Sequence, residues 1–112
     1  MKAEKDNPFS FETFLNILEH DDAFAVDETA FYFMDDPAGE ESMLGCLRRL
    51  DKPYWVGNCD IPDGGCFRTA SEMLHARIFD GKSIKERWSQ VVLVSIGGIR
   101  TDEWMDFYSG KL

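Results

Sequence analysis

The chain is predicted to fold as α+β, with a small, mainly antiparallel sheet packed in a single layer pair with about three helices. Three observations lead there. Short apolar runs cluster between helical segments without strict strand–helix alternation. Residues 91–96, VVLVSI, form a nearly continuous β-branched and apolar run. Three Ser or Thr residues, Ser10, Thr69 and Ser83, stand where helix N-caps belong.

The elements follow in order. Ser10 caps a helix over about 11–20 whose Phe11, Phe14, Leu15 and Leu18 recur at the spacing of one buried face. AFYFM at 30–34 reads as a strand, punctuated by Pro37 and Gly39 in the loop after it. SMLGCLRRL at 42–50 fits either a helix face or a strand; strand is preferred because Pro53 forces an extended Lys52 and a β-rich run follows. YWVGNC at 54–59 is a strand, and CFRT at 66–69 its antiparallel mate across a turn built on Pro62, Asp63 and Gly64. Thr69 with Glu72 opens a helix using Met73, Leu74, Arg77 and Ile78, stopped at Asp80-Gly81. Ser83 with Glu86 opens a shorter turn through Trp88. The strand at 91–96 is expected centrally and buried on both faces, ended by Gly97-Gly98, with a last short helix on Thr101, Trp104, Met105 and Tyr108.

A length of 112 residues suits one domain, 1–112, with residues 1–9 as a flexible leader. The N-terminus lacks the apolar stretch of a secretory signal, and no run reaches the roughly 18 apolar residues of a membrane span. The expected place is the cytoplasm, with Cys46, Cys59 and Cys66 as free thiols; a cross-strand Cys59–Cys66 bridge would need oxidation.

Charge is unevenly distributed. Residues 1–42 hold 12 acidic and 2 basic residues, a net of −10; residues 43–112 hold 9 acidic and 10 basic, a net of +1, giving the overall −9. Such a field repels phosphate backbones and anionic lipid and attracts a cationic partner, so direct nucleic-acid and membrane binding are not expected.

No motif assigns chemistry. The three cysteines, His20 and His75 contain no CxxC or HxxxH pair, so no metal site is assigned. DGKS at 80–83 is not a phosphate loop, because Ala76 stands where the pattern needs glycine and the segment follows a helix. No EF-hand spacing is present, and no carboxylate pair stands apart from the others. Catalytic residues and cofactors are therefore assigned as none. Trp55, Trp88 and Trp104, with Tyr32, Tyr54 and Tyr108, supply the side chains common at interface centres.

Residues 53–104, with a YWVG strand, a helix ending in IFDGKS and an apolar strand closing with IGGI, resemble small acidic bacterial immunity proteins of contact-dependent growth inhibition and related polymorphic toxin systems. The resemblance implies a non-catalytic inhibitor that occludes a basic toxin domain, such as a nuclease, as a phosphate mimic. On that reading Asp21, Asp22, Asp27, Glu28, Asp35, Asp36, Glu40 and Glu41 steer and contact the toxin, Tyr32 or Trp55 anchors the centre, and Asp60 and Asp63 join the same surface. Two alternatives stay open: a regulatory or scaffold domain with another protein partner, and a small enzyme or ligand-binding domain using the 57–66 loop with Cys59 and Asp60. Oligomeric state is not legible.

Overall fold

Alternation along the strands explains the layering in the computed structural model, which describes residues 7, 9–20, 26–61 and 65–108. Strands β1 (Thr29–Phe33), β2 (Ser42–Cys46), β3 (Tyr54–Val56), β4 (Gly65–Phe67), β5 (Val91–Ile96) and β6 (Ile99–Arg100) form one antiparallel sheet in the order β4-β3-β2-β1-β5-β6. Helices α1 (Phe11–Glu19), α2 (Ala70–His75) and α3 (Thr101–Tyr108) complete an α+β fold. Successive strand residues point to opposite faces, and one set, Phe31, Phe33, Leu44, Val56, Val91 and Leu93, joins the core. Phe11, Phe14, Ile17 and Leu18 of α1, Ala70, Met73 and Leu74 of α2, and Trp104 of α3 lie in the same cluster, so all three helices serve one face of the sheet.

The caps form as the sequence indicates. Ser10 Oγ accepts the Thr13 amide at 3.1 Å, and Thr69 Oγ1 accepts that of Glu72 at 3.0 Å. Ser83 and Glu86 make a reciprocal box, Glu86 N–H to Ser83 Oγ at 3.0 Å and Ser83 N–H to Glu86 Oε1 at 2.9 Å. That amide, followed by the Arg77 guanidinium, holds the Glu86 carboxyl below its ordinary value. A depressed carboxyl pKa stabilises the fold above the unfolded-state value and loses that contribution as pH falls through the folded one. Thr69→Ala is expected to cost about 1 kcal/mol, read from urea midpoints at unchanged slope.

Several boundaries differ from expectation. Phe9, assigned to the leader, is buried, packs on Phe14 and Trp104 with ring centroids 5.7 and 5.6 Å away, and accepts the Trp88 indole N–H through its carbonyl at 3.0 Å. Residues 1–6 and 8 of the leader lie outside the described residues. Helix α2 stops at His75 rather than near Asp80, because Ala76 turns extended and Ile78 gives its carbonyl to the Asp60 amide at 2.9 Å. Asp80-Gly81 is then a tight reversal, not a helix stop: both residues have positive φ (57° and 78°), and Phe79 and Lys82 exchange backbone hydrogen bonds across them. Gly97 and Gly98, at φ 61° and 82°, likewise turn the chain directly into β6.

Strand β5 is interior but not central, lying between β1 and the two-residue β6; Val91, Val92, Leu93 and Ile96 are buried, Val94 and Ser95 half-buried. The turn expected on Pro62, Asp63 and Gly64 lies outside the described residues, although β3 and β4 pair antiparallel on either side of it. Among the described residues no helix is long and apolar enough to cross a membrane.

Candidate functional site: an acidic cleft at one end of the sheet

Three segments leave the sheet or its helices at the same end. They are the loop after β1, the residues after β3, and the reversal at 79–82. Together with the start of β2 and Arg87 they enclose a cleft of about 580 Å³. Its lining includes Asp35, Asp36, Glu40, Asp60 and Asp80 against Lys82 and Arg87, five negative charges to two positive, a net of −3. Phe33 and Phe79 supply apolar wall, edge to face at 5.3 Å.

Several of these carboxylates are held in place by bonds within the chain. Asp36 caps its own loop, Oδ1 accepting the Ala38 amide at 3.1 Å and Oδ2 the Glu40 amide at 3.2 Å. Asp60 Oδ2 accepts the Asp80 amide at 2.9 Å, and with the Asp60 N–H to Ile78 carbonyl bond this joins the β3 exit to the reversal. Asp35 Oδ1 accepts Arg87 Nη2 at 2.6 Å, while the guanidinium carbon lies 3.7 Å from the centroid of the Phe33 ring. Asn58, at φ 58°, donates through Nδ2 to the Glu41 carbonyl at 2.6 Å and accepts the Ser42 hydroxyl through its own carbonyl at 3.2 Å. Carboxylates positioned this way have less side-chain freedom to lose on binding.

Arg87 has a side chain only 16% exposed and gains both an aromatic face and a charged partner. Arg87→Gln is expected to lower stability by about 1–2 kcal/mol, and Arg87→Lys by less, in urea titrations.

The expected site residues divide into groups. Asp35, Asp36, Glu40 and Asp60 line the cleft. Glu41 is exposed beside it and contributes its carbonyl to Asn58. Asp27 is used internally: its Oδ1 accepts the Cys46 amide at 2.8 Å and lies against Gly45. Glu28 is exposed at φ 60° in the turn entering β1. Asp21, Asp22 and Asp63 lie outside the described residues. Tyr32 and Trp55, half-buried, alternate with the core positions and so belong to the other face of the sheet. Trp55 lies over Gly45 with its indole nitrogen buried and without an acceptor. Neither aromatic lines the cleft. Phe33, Asn58, Phe79, Asp80, Lys82 and Arg87 are not among the site residues expected from the sequence; the signal that could have found Asp80 is the Asp-Gly pair, which was read as a helix stop and forms a reversal.

The two histidines bond back to the helices they end. His20 Nδ1 bonds the Asn16 carbonyl at 2.7 Å, and His75 Nδ1 the Ser71 carbonyl at 2.8 Å. The three cysteines are free thiols. Cys66 stands opposite Trp55 in the β3–β4 register, whereas Cys59 lies beyond Val56, the last paired residue of β3, so the two are not cross-strand partners. Burial pushes the Cys46 thiol above its ordinary value. Alkylation under native conditions is expected to reach Cys66 first and Cys46 last, with site occupancy read by peptide mass spectrometry. Among the described residues no three His, Cys, Asp or Glu side chains are grouped to hold a metal ion.

No protein-family model matches the chain, and neither a curated protein nor a solved structure matches it significantly.

Proposed function

We propose that the chain is a non-catalytic inhibitor of the immunity type, which binds a basic toxin domain in the bacterial cytoplasm and blocks its active site. The observation that carries this reading is the cleft itself, where Asp35, Asp36, Glu40, Asp60 and Asp80 converge around two phenylalanine rings. A nucleic-acid-cleaving toxin presents a cationic groove to its substrate, and a set of positioned carboxylates fills such a groove as phosphates do. Inhibition then requires occlusion and no bond-making. The aromatic wall gives the methylene stems of lysine or arginine an apolar surface to lie on.

On this reading a neighbouring gene encodes a cytotoxic domain, and co-expressing the chain with that domain is the test. Growth is expected to be restored by the native chain and lost when Asp35, Asp60 and Asp80 are changed to asparagine. Equal protection by native chain and variant would remove the cleft from the mechanism.

A further inference from the structure

Charge accounts for attracting a basic partner but not for holding it. Exposed carboxylates act mainly on the rate of encounter and are weakened by salt, whereas long residence comes from apolar side chains that lose their water at the contact. Tyr32 and Trp55, expected from the sequence as such anchors, do not line the cleft.

Two other side chains stand where an anchor is needed. Met34 lies in the chain between two residues of the cleft lining, Phe33 and Asp35, and is 44% exposed. Ile61 directly follows a third, Asp60, and is 39% exposed. Met34 leaves β1 and Ile61 follows β3, and β2 lies between those strands in the sheet, so the two flank the cleft at its β1 and β3 sides. The other large apolar side chains exposed among the described residues lie elsewhere: Leu47, Leu50 and Ile99 at the opposite end of the sheet, and Met43 within β2. Single exposed apolar residues are ordinary. A pair on the flanks of one acidic cleft makes that end of the sheet both charged and apolar.

The backbone under both is fixed. The Met34 amide donates to the Gln90 carbonyl at 2.7 Å. Asp60 donates its amide to the Ile78 carbonyl at 2.9 Å and accepts the Asp80 amide at 2.9 Å, which holds the residue before Ile61 at two points. Isoleucine has little rotamer freedom to lose when it is covered, and methionine adapts to an irregular apolar surface.

We propose that Met34 and Ile61 are the apolar anchors of the contact, covered by apolar patches beside the cationic groove of a basic partner domain. This rests on the inhibitor reading and names what the partner carries besides positive charge. The chemistry of the site selects a protein as occupant. Nucleic acid and anionic lipid are repelled by the five carboxylates, a small cation leaves both apolar side chains uncovered, and a second copy brings its own −9.

The test is the binding kinetics of the cytotoxic domain that this reading places in a neighbouring gene, measured at about 0.15 M salt. Changing Met34 and Ile61 together to alanine should raise the dissociation rate at least tenfold and leave the association rate within about twofold, the reverse of the loss expected when cleft carboxylates are neutralised. Leu50→Ala with Ile99→Ala, at the opposite end, should bind like the native chain. The four side chains are 39–45% exposed, so urea midpoints should stay near the native value in both variants. An unchanged dissociation rate in the first variant, or an equal rise in both, overturns this proposal and leaves the inhibitor reading standing. So does self-association of the native chain that the first variant abolishes, which would assign the pair to a second copy. A cytotoxic domain that the native chain does not bind overturns both.

Discussion

Replacing Gly45 by valine is expected to remove about 4 kcal/mol of stability, a large part of the 5–15 kcal/mol of an ordinary domain. Gly45 lies in β2 between Asp27 and Trp55, and a β-carbon there would meet Asp27 Oδ1 at 2.1 Å and the Trp55 ring at 2.5 Å. Neither neighbour can withdraw at low cost. Moving Asp27 strips the Cys46 amide of its 2.8 Å acceptor, and moving Trp55 lifts its indole from the sheet. Overpacking contributes roughly 1–3 kcal/mol, and an unpaired backbone donor a further 1–3. Asp27→Ala, which removes the acceptor without crowding, separates the two parts and should cost about half as much. Urea titrations check both, and a Gly45→Val protein within 1 kcal/mol of the native chain would contradict the packing described for this site.

Changing Asp35, Asp60 and Asp80 together to asparagine is expected to slow association with a basic partner at least tenfold at low salt while leaving the fold intact. Asparagine keeps a side-chain oxygen at each position. Asp35→Asn can still accept from Arg87, and Asp60→Asn from the Asp80 amide. The cleft thus keeps its shape and moves from −3 to neutral, since three of its five negative charges are removed and its two positive ones remain. Rates measured by stopped flow should show the loss mostly in association, because exposed charges act chiefly by steering.

The architecture was readable because its cues are local. The Ser10 and Thr69 caps, the Ser83–Glu86 box and the glycine pair at 97–98 each specify a chain direction within a few residues, and each forms. The errors arise where distant contacts decide. Helix α2 ends early because Ile78 is engaged by Asp60, a partner 18 positions away in the chain. Phe9 joins the core because Trp104, nearly a chain length away, packs on it.

The candidate site was legible only in part for the same reason. Charge density marked Asp35, Asp36 and Glu40, which do converge, but nothing local distinguishes them from Asp27, whose carboxylate is committed to a backbone amide 19 positions on. Asp80 comes from the part of the chain whose net charge is only +1, so counting charge could not find it. Tyr32 and Trp55 share a face that strand alternation reveals, but it is not the face of the cleft.

Whether the cleft binds a cationic protein surface, as proposed, is tested most directly by the rate of association with a basic toxin domain, measured across salt concentration. The native chain should associate fast at low salt and slow steeply as salt rises through about 0.15 M, where charges more than roughly 8 Å apart are largely screened, and the triple asparagine variant, still at −6 overall once three negative charges are taken from −9, should be slower and depend less steeply on salt. A native rate that does not change with salt, or a variant that matches the native chain, would contradict that proposal.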